Sequence, residues 1–106
     1  MGRFLVLWQQ NPQAPWPTNP VETLKLNEMM WAGIDAQIKK GDIKEIGWFM
    51  DGNSGYVIAE GTSSVIMGDV SMFSPWIKVE VHEIIDHETA KATFRAVLKA
   101  QIETAK

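Results

Sequence analysis

Residues Met72 to Ile85 read Met-Phe-Ser-Pro-Trp-Ile-Lys-Val-Glu-Val-His-Glu-Ile-Ile, and the fold turns on them. From Ile77 the run alternates. Ile77, Val79 and Val81 fall on one side and Lys78, Glu80 and His82 on the other, the period-2 pattern of a strand with one apolar face. Such a face requires a cover. The opposite side carries an ammonium, a carboxylate and an imidazole spaced about 7 Å apart along the strand, the most chemically suggestive row in the chain.

Working outward, Ser74-Pro75 ends a short helix capped by Thr62 or Ser63 and running to about Val70. Asp86 caps a terminal helix whose apolar stripe is Ala90, Phe94, Val97, Leu98, Ile102 and Ala105, with Lys91, Arg95, Lys99 and Glu103 on its wet face. Upstream, Asp51-Gly-Asn-Ser-Gly55 tolerates positive φ and closes an antiparallel hairpin between strands at Lys44–Met50 and Gly55–Glu60. Asn19 followed by Pro20 and Glu22 starts a helix that runs to Lys40, with Gly41 as a left-handed cap. Its stripe of Val21, Leu24, Trp31, Ile34 and Ile38, widened by Leu26, Met29 and Met30, is either a fully covered core face or a partner surface. Arg3 to Gln10 is a strand with apolar residues on both faces, which suits a central position. The Pro-rich segment Asn11 to Asn19 is a loop in which Trp16 packs on its own domain, plugs a pocket or docks a partner.

The order strand, helix, strand, strand, helix, strand is that of a ferredoxin-like βαββαβ layer, with one extra C-terminal helix. The expected fold class is therefore α+β in a single domain over residues 1–106, with both crossover helices on one sheet face. The other sheet face is left bare. A chain of 106 residues builds only a modest core, so a homodimer or larger homo-oligomer is expected to bury it.

Composition excludes several classes. Ten basic residues are scattered among thirteen acidic ones, for a net charge of −3, which does not suit nucleic acid. There is no cysteine, which fits a reducing, cytoplasmic setting. No apolar run is long enough to span a membrane, and Phe4 to Trp8 is too short for a signal-peptide core. His82-Glu-Ile-Ile-Asp-His87 has one residue more than the zinc helix motif and straddles a strand end, so no metal site is expected. No phosphate-binding glycine loop or dinucleotide fingerprint occurs, and no cofactor is expected.

The stretch Met72-Phe-Ser-Pro-Trp-Ile-Lys-Val-Glu-Val81 resembles the matching part of muconolactone isomerase and its small relatives. Those proteins carry a Leu-Phe-Pro-aromatic turn running into a last strand of alternating Val and acidic residues. Here Ser74 separates Phe73 from Pro75. The resemblance implies a dimeric α+β barrel in which two sheets face each other, built up in some cases into larger rings; no catalytic residue is carried over by motif.

In a face-to-face dimer the bare faces line a chamber. Glu80 and His82 are the expected proton-transfer residues, with Lys78, Trp48 and Tyr56 contacting a small apolar, aromatic or lactone-like ligand. Abstraction of a proton beside a carbonyl, as in an isomerase, needs no more. Two alternatives stand beside it: a non-catalytic module whose sheet face serves oligomer assembly or ligand binding, and a cofactor-free monooxygenase of similar architecture.

Overall fold

The structure, a computed structural model, describes residues 2–105. Its elements are β1 (Gly2–Gln10), α1 (Pro20–Lys40), β2 (Ile43–Trp48), β3 (Ser54–Gly61), α2 (Ser63–Ser71), β4 (Ile77–Ile84) and α3 (His87–Ala105). One four-stranded antiparallel sheet has the order β2-β3-β1-β4. This α+β arrangement is compatible with the ferredoxin-like order read from the sequence.

Each boundary has a local cause. The Asn19 side chain accepts from the Glu22 amide at 2.9 Å, Pro20 occupies the first helical position, and Gly41 closes α1 at φ 93° with its N–H on the last carbonyls. Thr62 caps α2 through the Val65 amide. Asp86 caps α3 twice, accepting from the Thr89 amide at 3.2 Å and the Thr89 hydroxyl at 2.6 Å. These bonds hold the Asp86 carboxyl below its ordinary range. The expected second strand stops at Trp48; Phe49 to Asn53 form the turn, and Met50 is fully exposed.

Register decides which residues share a face. Phe4, Val6 and Trp8 of β1 lie beside Ala59, Val57 and Gly55 of β3 and beside Glu83, Val81 and Val79 of β4. That side meets the helices. Phe4, Ala59 and Ile66 form the core cluster, with Val57 and Val70 against it. In α1 the buried residues are Leu26 and Gln37, whereas Val21, Leu24, Trp31 and Ile38 of the expected stripe are exposed. The apolar residues of α1 span too much of its circumference for periodicity to choose the inward side.

Gln37 ties the two helices together, its Nε2 donating to the Asp69 carbonyl at 3.2 Å. Nearby, Lys40 lies 3.1 Å from Asp42 and 3.7 Å from Asp69. The Asp42 and Asp69 carboxyls thus meet one ammonium and shift in opposite directions. Burial, then the neighbouring Asp42 carboxyl, pushes Asp69 up, while the neighbouring Asp69, then the Lys40 ammonium, holds Asp42 down. A carboxyl raised on folding gives stability that is present at acid pH and lost as pH climbs through its folded value. Asp69→Asn removes that ionisation at nearly the same side-chain shape. Its melting temperature is expected to exceed wild type at about pH 7, with the gap shrinking toward about pH 4; thermal unfolding across that range is the check, and a gap independent of pH contradicts it.

The helix α3 stands apart. None of its residues is buried. A compact chain of this length has a radius of gyration of about 13 Å, but this one measures 18.7 Å, with a long axis of 69 Å.

Candidate functional site

The sheet side away from α1 and α2 carries three rows across the strands. The pairs of β1 with β3 and β4 set His82, Leu5 and Ile58 in line, then Glu80, Leu7 and Tyr56, then Lys78, Gln9 and Ser54. On β2, Glu45 stands opposite Ile58 and Gly47 opposite Tyr56, after an irregularity between Ile43 and Glu45. Four of the five residues expected at a site, Lys78, Tyr56, Glu80 and His82, therefore share one face. Trp48 does not. It lies opposite Gly55, on the helix side, with its ring 5.2 Å from Trp8 and nearly perpendicular to it.

The open face has an apolar floor of Leu5, Leu7 and Ile58, all half-buried. A polar pair stands at each side. On β4, His82 Nε2 is 3.2 Å from Glu80 Oε2, with the side chains 55% and 67% exposed, so the pair adds little stability and stays open to solvent in a single chain. On the β2 side the Tyr56 hydroxyl donates to the Glu45 carboxylate. That carboxylate holds the phenol proton in place and pushes the Tyr56 pKa above its usual value, so Tyr56 is a donor and not a base near neutrality. From β4, Tyr56 on β3 is two strand spacings away, about 10 Å, and Glu45 on β2 three, about 14 Å.

Gly47 makes room for this arrangement. A Cβ there would lie 2.4 Å from the Tyr56 ring, so only glycine lets the phenol lie across β2 toward Glu45. Phe49 stacks on the same ring at 6.2 Å. Neither Glu45 nor Gly47 stands out in the sequence; only the hairpin register brings them to Tyr56.

A second feature lies between the helices and the sheet. A cavity of about 100 Å³ is walled by Trp8, Trp31, Trp48, Met30, Ile34 and Phe73, among others. The Trp8 indole N–H is buried and without a partner. A shallow groove along the Pro-rich loop shares Trp31, Trp48 and Asn27 with it. The loop itself is latched to the turn before β4. Trp16 Nε1 donates to the Asn11 carbonyl at 2.6 Å, Asn11 Nδ2 donates to the Pro75 carbonyl at 2.9 Å, and the Trp16 and Trp76 rings sit 5.2 Å apart. Trp16 thus packs on its own domain.

Among the described residues no cluster of three or more His, Asp or Glu side chains could hold a metal ion, and no helix is long and apolar enough to cross a membrane. Neither a protein-family model nor a curated protein matches the chain.

Proposed function

We propose that the chain is a subunit of a dimeric α+β barrel of the muconolactone isomerase type, whose open faces meet to enclose a chamber for a small aromatic or lactone-like molecule. The observation that carries this reading is an apolar floor flanked by two polar pairs, Glu80–His82 and Tyr56–Glu45, on one uncovered sheet face. In that chamber Glu80 removes a proton beside the substrate carbonyl and His82, 3.2 Å away, takes it up or returns it to the neighbouring carbon. Tyr56, whose one O–H is given to Glu45, offers its ring as an apolar wall and its phenol oxygen as an acceptor to the far end of the ligand. Lys78, at the end of the row, attracts a ligand carboxylate. Every atom and proton is accounted for within the substrate and these side chains, so the net reaction is an isomerisation.

The test is a thermal-shift screen of small aromatic acids and lactones. A bound compound at a thousand times its dissociation constant adds about 4 kcal/mol of stability. Glu80→Gln is expected to lower turnover of such a compound roughly 10²–10⁴-fold with the oligomer intact, and His82→Ala to act in the same direction. Dissociation or unfolding of both variants would instead assign the face to assembly alone. Oxygen uptake coupled to turnover would point to the monooxygenase chemistry.

The indole-walled cavity favours a second reading, a ligand-binding module without chemistry. Its volume suits a guest smaller than benzene, and the unpartnered Trp8 N–H asks for an acceptor. In that case Trp48→Ala abolishes the thermal shift and Glu80→Gln leaves it unchanged.

A further inference from the structure

A capped helix with an apolar stripe does not stay bare in water without a use, and α3 exposes Phe94 at 70%, Leu98 at 55% and Ile102 at 59%. Its own chain does not supply the cover. Only Ile85 and Asp86 join β4 to α3, and with a rise of 1.5 Å per residue the stripe from Phe94 to Ile102 lies about 10 to 23 Å along the helix. An apolar surface in need of a helix exists on the same molecule. Val79 and Val81, on the helix side of the edge strand β4, are each 39% exposed beside the layer formed by α1 and α2.

We infer that α3 is an exchanged arm: its Phe94, Val97, Leu98 and Ile102 stripe seats on the helix side of β4 in a second copy of this chain, over Val79 and Val81, and the second copy returns its own α3 in the same way. Charge favours this occupant. The arm carries Lys91, Arg95 and Lys99 against Glu88 and Glu103, a net of +1, whereas residues 1–86 hold six cations and eleven carboxylates, a net of −5. Lys91 and Arg95 flank the stripe by helical geometry, and Glu83 shares the receiving side with Val81. Area favours it as well. Four stripe side chains offer on the order of 400 Å² of apolar surface, and with Val79 and Val81 and the two-fold repeat the exchange buries on the order of 1,000 Å², the lower bound of a specific interface. Reciprocal seating also closes the assembly at a finite number of chains.

The arm contact goes beyond the open-face chamber and holds whether or not two open faces meet. A cysteine-free chain makes the test direct. Phe94→Cys is labelled with benzophenone maleimide, mixed as equal parts of ¹⁵N-labelled and unlabelled protein, refolded together and irradiated. The expected product joins the arm of one isotopic form to the peptide containing Val79 and Val81 of the other, in the full-length protein. Val97→Cys, on the same stripe, repeats the measurement should the first variant assemble poorly. Adducts confined to one isotopic form overturn the inference in favour of an arm that folds back, and adducts joining arm to arm overturn it in favour of a helix pair. A monomer without adducts overturns it outright. Leu7→Cys with the same label reports on open-face contact separately, so loss of either contact is read without the other.

Discussion

Phe4→Ala is expected to remove about 3–5 kcal/mol of unfolding free energy, the largest loss from any single truncation in this chain. Phe4 is 7% exposed and meets Ala59 and Ile66, and only six apolar residues among those described, Phe4 included, are buried. A domain of this size holds about 5–15 kcal/mol in total. Taking the ring from so small a core leaves a cavity under α2 with few neighbours able to collapse into it, so the variant sits near its unfolding midpoint without denaturant. Urea unfolding followed by circular dichroism measures the loss; a decrease under about 1 kcal/mol would mean that the β1–α2 contact is not the centre of the core.

Gly55→Ala is expected to cost about 3 kcal/mol or more, at the upper end of overpacking effects. A Cβ at Gly55 would lie 2.1 Å from the Gly47 carbonyl oxygen and 2.4 Å from the Trp8 ring. The ring could swing aside, but the carbonyl belongs to the neighbouring strand and moves only if β2 and β3 separate. The variant should therefore lose the Trp8–Trp48 edge contact and part of the β2 ladder together. Hydrogen exchange of the β2 amides is the readout. Protection equal to wild type in β2 would contradict the geometry.

The readable parts of the fold are those written in local chemistry. Asn19, Pro20 and Gly41 bound α1 where the capping pattern puts them, Asp86 starts α3, and the alternation from Ile77 to His82 orders the two faces of β4. Long-range choices are not written locally. The inward side of α1 is decided by how Leu26 and Gln37 meet α2 and β2, and a buried glutamine gives no periodic signal. Likewise, Trp48 and Tyr56 part company because the turn from Phe49 to Asn53 sets Trp48 opposite Gly55, a one-residue matter that flips a side chain to the other face. The Glu80–His82 pair could be read from period 2 alone; the Tyr56–Glu45 pair needed the irregularity at the start of β2. The cluster of Lys40, Asp42 and Asp69 joins residues on either side of the hairpin and was hidden for the same reason.

Two surfaces of this chain are unfinished when it stands alone, the open sheet face and the stripe of α3, and the proposed chamber and arm both complete them with copies of the same protein. Sedimentation equilibrium of the wild-type protein at micromolar concentration tests that shared requirement most directly. Completion by self-association gives a mass of twice 11.9 kDa or a higher whole multiple, held on dilution through the micromolar range. A single species of 11.9 kDa would leave both surfaces in water and contradict chamber and arm together.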